Sequence, residues 1–145
     1  MPDLSIENKK RQLNFNTIAG VDEAGRGPWA GPVYSAIVIL NKDRIPQGIN
    51  DSKKISEKKR MELYEEILLN HECGIGFASP EEIDRLNILE ATFLSMKRAL
   101  KNISIKPDYI LVDGNLSPKF KIPHETIIKG DNISMSIAAA SIIAK

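Results

Sequence analysis

Ile18-Ala19-Gly20-Val21-Asp22-Glu23-Ala24-Gly25-Arg26-Gly27-Pro28 is the stretch from which the fold can be read. A short apolar run containing Ile18 and Val21 predicts a strand over residues 17–22, and that strand ends in two adjacent carboxylates. A carboxylate withdrawn from water costs several kcal/mol unless it is paired or binds a metal. Asp22 and Glu23 at a strand end therefore point to a cation, and the alternative is a solvated turn. The glycines that follow let the backbone come close to a bulky group.

The remainder of the chain predicts one α/β domain. Its 145 residues are 42% hydrophobic, enough for a single core. A net charge of +1 gives no overall bias towards a polyanion, so any nucleic-acid contact must come from local clusters of charge. Cys73 is the one cysteine, which excludes an intrachain disulfide and reads as a core thiol. Residues 1–16 are polar, with Lys9, Lys10 and Arg11, and read as a tail or accessory segment without the apolar core of a signal peptide. No apolar run reaches the roughly 20 residues of a membrane span, so a soluble, cytoplasmic protein is expected.

Val33 to Leu40 is β-branched and apolar, a hairpin partner for the first strand. Ser56 caps a predicted helix to Asn70 with Met61, Tyr64, Ile67 and Leu68 as its inner face. Residues 72–78 alternate as a third strand. Ser79-Pro80-Glu81-Glu82 opens a short helix. A longer helix follows to about Asn102, with Leu89, Phe93, Met96 and Leu100 as its stripe. Tyr109-Ile110-Leu111-Val112-Asp113 is a continuous apolar run ending in an acid, the pattern of a strand covered on both faces. A short strand over 125–128 and a helix from Ile133, capped by Asp131 or Asn132, complete an order β-β-α-β-α-α-β-β-α and a mixed sheet flanked by helices.

Sites in α/β sheets gather at the carboxyl ends of strands. Asp22 and Asp113 both stand at such ends, Glu23 is beside the first, and Asp131 either joins them or only caps the last helix. Carboxylates without a histidine or cysteine favour a hard cation, Mg²⁺ or Mn²⁺, over Zn²⁺. Two such ions about 4 Å apart serve in-line displacement at phosphorus. Arg26, Lys53, Lys54 and Lys129 lie next to acid-bearing turns or a helix start and fit a phosphate backbone. The amides around Gly25, Arg26 and Gly27 suit a phosphate or a sugar hydroxyl at close approach. Trp29 reads equally as a stacking surface or as core cover. Read from the residues alone, this is a metal-dependent phosphoryl-transfer enzyme acting on a polyanion.

Several runs together resemble bacterial ribonuclease HII: Asp22-Glu23-Ala24-Gly25-Arg26-Gly27, Asn50-Asp51-Ser52-Lys53-Lys54, Val112-Asp113-Gly114-Asn115, Lys129-Gly130-Asp131, and Ser136 through Lys145. The resemblance covers residues 18–145 in motif order. It implies a ribonuclease H-like fold and endonucleolytic cleavage of the RNA strand of RNA–DNA hybrids. It also implies cleavage 5′ of ribonucleotides embedded in duplex DNA, leaving 5′-phosphate and 3′-hydroxyl ends. By the same resemblance Asp22, Glu23, Asp113 and Asp131 are the catalytic, metal-holding acids. Gly25, Arg26 and Gly27 would sense the 2′-hydroxyl, the group that separates RNA from DNA, and Lys53 would lie near the substrate phosphates. A monomer is expected, with Mg²⁺ or Mn²⁺ as cofactor and no membrane partner. The family pattern continues beyond Lys145 with a tyrosine under the junction ribose and with helices that complete the cleft, so residues 17–145 are expected to be an incomplete catalytic domain. Two other classes fit the same acids: a nucleic-acid-binding fragment without turnover, and a small-molecule phosphatase indifferent to a 2′-hydroxyl.

Overall fold

Close backbone approach, set by glycine, determines how the layers stack. A computed structural model of the chain describes residues 1–25, 31–49 and 55–145. The elements in order are α1 (Ser5–Gln12), β1 (Ile18–Ala24), β2 (Val33–Ile39), α2 (Glu57–Asn70), β3 (Glu72–Ala78), α3 (Pro80–Leu86), α4 (Ile88–Asn102), β4 (Tyr109–Asp113), β5 (His124–Ile127), a 3-10 turn (Gly130–Asn132) and α5 (Met135–Ala144). Among the described residues the strands form one mixed sheet in the order β3-β2-β1-β4-β5. β1 pairs antiparallel with β2 and β2 with β3, whereas β4 runs parallel to both β1 and β5. This is the α/β architecture expected from the order of elements.

Each face of the sheet carries its own core. On one face Ala36 and Val38 of β2 pack with Leu63 and Ile67 of α2 and with the alanines and isoleucines of α5. On the other, Ala19 and Val21 of β1 and Ile110 and Val112 of β4 pack with Met96 and Ala99 of α4. A Cβ added at Gly20 would lie 2.2 Å from the backbone carbon of Ser136, so glycine is what lets α5 rest on β1. Gly74 and Gly76 play the same part for α4, where added carbons would lie 2.4 Å and 2.3 Å from the Ala99 backbone.

The buried faces of α4 and α2 depart from the expected ones, and for α4 that closeness is the reason. α4 buries Ala91, Thr92, Ser95, Met96 and Ala99, a mostly small-sided strip, whereas Phe93 and Leu100 are only partly buried. In α2, Leu63 is buried and Met61 is 61% exposed, because α2 packs with α5 and β2 through Leu63 and Ile67. β3 alternates as expected: its glycines face α4, and Phe77 is 52% exposed. Cys73 is half-buried, its thiol donating weakly to the carbonyls of Ile67 and His71, and burial pushes that thiol up to about 12. It is a packing residue, as expected.

Capping follows the sequence except at α5. Ser56 accepts from the Lys59 amide, and Ser79 with Glu82 forms a reciprocal capping box. The cap of α5 is Ser134, which accepts from the Ile137 amide. Asp131 and Asn132 lie one turn earlier, in the 3-10 turn, so Asp131 does not cap α5. The segment 1–16 carries α1, joined to the domain by a Lys10–Glu125 ion pair of 2.6 Å and by Ile6 and Phe15 packed near Leu111 and Ile137. No helix among the described residues is long and apolar enough to cross a membrane.

The Gly20 contact is directly testable. Gly20→Val should lower stability by about 1–3 kcal/mol or more, the range for overpacking, read as a shift in the urea midpoint. Gly31→Ala adds a carbon with no atom within 4 Å and should leave the midpoint nearly unchanged.

Candidate metal centre

The parallel register of β1 and β4 builds the site. Val21 pairs with Val112, so the next residues, Asp22 and Asp113, emerge side by side where the β1–β4 pairing stops; Asp113 ends β4, whereas β1 runs on beside β2 to Ala24, two residues past the expected end at Asp22. One carboxylate oxygen from each of Asp22, Glu23 and Asp113 lies within 4.8 Å of the others. Asp22 is 3% exposed, and its Oδ1 accepts from the Glu23 amide at 2.8 Å. Asp113 Oδ1 accepts from the Gly130 amide at 2.7 Å, which ties the Asp131-bearing turn to β4. A Cβ at Gly130 would lie 2.6 Å from Ile137 Cδ1 and 3.3 Å from Asp113 Oδ1, so this turn also depends on glycine.

The structure thus brings three of the four expected acids into one group and sets Asp131 on the adjoining turn, one residue from the Asp113 contact. Gly25 follows β1 with φ +98°, a left-handed conformation, and a side chain there would meet the Pro32 carbonyl at 2.5 Å. Arg26, Gly27 and Lys53 lie outside the described residues, as do Trp29 and Lys54.

Electrostatics mark Asp22 as the unusual group. Burial, then the Asp113 and Glu23 charges, push its carboxyl from 3.8 up to about 9. Lys145, whose Nζ is 3.9 Å from Asp22 Oδ2, and the Glu23 amide oppose the rise without cancelling it. Lys145 is held there by donating to Ser141 Oγ at 2.7 Å. Sequence reading did not single it out, because a lysine ending an apolar helix looks like an ordinary terminal charge; only its spacing of four from Ser141 hints at a fixed position.

The donors are all carboxylate oxygens, gathered within 4.8 Å of one another. Such a set suits a hard divalent cation, which replaces the proton and cancels the repulsion.

A sequence model of the family Ribonuclease HII matches residues 19–145. The chain belongs to the ribonuclease HII family. The ribonuclease HII of a Wolbachia endosymbiont of Brugia malayi is 55% identical over 99% of this chain and 70% of that protein. Among solved structures, ribonuclease H2 from Pyrococcus horikoshii superposes with a TM-score of 0.76 at 28% identity, covering 89% of this chain and 70% of that one. Ribonuclease HII from Archaeoglobus fulgidus, solved as a complex with PCNA, gives 0.71 at 31% identity, covering 89% and 71%. The fold is therefore the ribonuclease H-like α/β fold of these endonucleases.

The raised Asp22 value sets a pH dependence for the metal-free protein. The folded state keeps this proton over a range where the unfolded chain has lost it, so stability falls as pH rises from about 4 towards about 9. In EDTA the melting temperature should therefore drop between pH 5 and pH 8, and Asp22→Asn should flatten that slope.

Proposed function

We propose that the chain is a divalent-metal-dependent endonuclease that cleaves the RNA strand of RNA–DNA hybrids. We infer the same cleavage 5′ of single ribonucleotides in duplex DNA, leaving 5′-phosphate and 3′-hydroxyl ends. The observation that carries this reading is the group of carboxylate oxygens from Asp22, Glu23 and Asp113, gathered within 4.8 Å where the parallel pairing of β1 and β4 stops. Family membership supplies the substrate class.

Asp22, Glu23 and Asp113, with Asp131 from the adjoining turn, would hold the cation. When bound, Mg²⁺ or Mn²⁺ supplies a lowered pKa for the attacking water and charge neutralisation at the leaving 3′ oxygen. The protein's own contribution is preorganisation. β1 and β4 fix two acids on rigid strands, and the Gly130 amide keeps Asp113 from rotating. Lys145 offsets part of the negative charge near Asp22. Gly25, exposed two residues after Glu23, would make a close contact to the ribose 2′-hydroxyl. Arg26 and Gly27 would share that contact, and Lys53 would meet a substrate phosphate. We place this activity in the cytoplasm, in a monomer.

Asp113→Asn is the decisive variant, because an amide oxygen still accepts from Gly130 while the charge is lost. It should cut nicking of a duplex holding one ribonucleotide by at least about a hundredfold with no loss of thermal stability. Full activity in this variant would refute the assignment. Binding of the duplex by the unaltered chain without a nicked product would point to the binding-only alternative, and hydrolysis of a phosphomonoester without regard to a 2′-hydroxyl to the phosphatase.

A further inference from the structure

Glu7 is the most deeply buried acid among the described residues, 0% exposed, although it sits in a helix whose one apolar residue is Ile6. Its Oε2 accepts from the Ser134 hydroxyl at 2.7 Å and from the Ser136 amide at 2.9 Å. Ser134 Oγ in turn accepts from the Ile137 amide at 3.2 Å. Glu7 therefore occupies the N-terminus of α5, where free amides and the helix dipole favour an anion. Its Oε1 has no hydrogen-bond partner. Leaving a buried acceptor unsatisfied is costly, so the position needs an explanation beyond helix capping, which Ser134 already provides.

What Glu7 grips is the segment directly after Asp131. The Asp3 amide donates to the Ile133 carbonyl at 3.1 Å, and the Met135 amide donates to the Asp3 carbonyl at 2.9 Å, a short parallel bridge at Ser134. Within the turn, the Ser134 amide closes onto the Gly130 carbonyl at 2.7 Å. The 130–136 segment is thus held from two sides. Asp113 holds its front through the Gly130 amide, and the N-terminal segment holds its back through Asp3 and Glu7. α1 is itself fixed by the Lys10–Glu125 ion pair and by Lys10 over the Tyr109 ring, 4.8 Å from its centre.

We propose that Glu7 is a positioning residue for the metal centre: through Ser134 and Ser136 it fixes the turn that presents Asp131 to the cation. This rests on the reading of Asp131 as a metal-holding acid. Outer-shell partners of this kind commonly change metal affinity by about ten- to a hundredfold when removed.

Mn²⁺ binding by the whole chain tests this without relying on turnover. Glu7→Met keeps the side chain's size but cannot accept a hydrogen bond, whereas Glu7→Gln offers an amide oxygen in place of Oε2. Titration calorimetry or the Mn²⁺ electron paramagnetic resonance signal gives the affinity, at a temperature where melting curves show each variant folded. Glu7→Met should weaken Mn²⁺ binding about tenfold or more, and Glu7→Gln should return it to within about twofold of the unaltered chain. A purely structural role would lower the melting temperature and leave the affinity of the folded protein unchanged, and that result overturns the proposal. If Glu7→Met does not fold, Ser134→Ala decides: it removes only the hydroxyl between Glu7 and Ile137, and unchanged affinity there also overturns the proposal. Asp131→Asn separates the two levels. Unchanged affinity in Asp131→Asn, or no Mn²⁺ uptake by the unaltered chain, defeats the reading of Asp131 and the proposal with it. Weakened binding in Asp131→Asn beside unchanged binding in Glu7→Met defeats the proposal alone.

Discussion

Parallel pairing of β1 with β4, in the register that sets Val21 beside Val112, is the constraint on which the rest of the structure depends. It forces Asp22 and Asp113 to leave the sheet at neighbouring points. Burial disfavours the charged form of Asp22, and the Asp113 charge beside it adds to the effect. Asp22 therefore keeps its proton far above the usual carboxylate range. The fold thus stores an electrostatic cost that a divalent cation relieves.

Holding that arrangement requires the helices to be unusually near the sheet. Gly20 brings the first turn of α5 onto β1, and the residue that follows α5, Lys145, then lies near Asp22. The alanine-rich middle of α5 follows from the same demand, since bulkier residues would lift the helix from β1 and β2. On the far face Gly74 and Gly76 allow α4 an equally close seat, and the buried hydroxyls of Ser35 and Ser95 meet there at 2.5 Å. Packing density on both faces leaves the strand ends little freedom, which suits a site whose donors must already be in place when a cation arrives.

The element order from β1 onward, the ends of β4 and the limits of α2, α3 and α4 are legible in the sequence because hydrophobic period and capping residues are local signals, whereas α1 is not, its residues being polar apart from Ile6. The inner faces of α2 and α4 are less so. Leu63 rather than Met61 is buried, and Thr92, Ser95 and Ala99 take the place of larger residues. Periodicity reports that a helix has an apolar face, but which side is buried depends on how near its partner lies. The cap of α5 shows the same limit. Asp131, Asn132 and Ser134 are all good caps by residue type, and the 3-10 turn that selects Ser134 is closed by the Gly130 carbonyl and by the distant Asp3.

From its sequence alone, the chain determines an α/β domain, acids at strand ends, a hard-cation donor set and likeness to the ribonuclease HII family, because each rests on residue type and short-range spacing. Tertiary structure alone decided that Asp22, Glu23 and Asp113 share one group while Asp131 stands on the adjoining turn. It alone turned Glu7 from an apparently solvated charge into the buried support of a residue pair 127 and 129 positions away. The reason is physical: burial and hydrogen-bond partners are properties of surfaces that meet in space, and no local pattern in α1 records what will be packed against it.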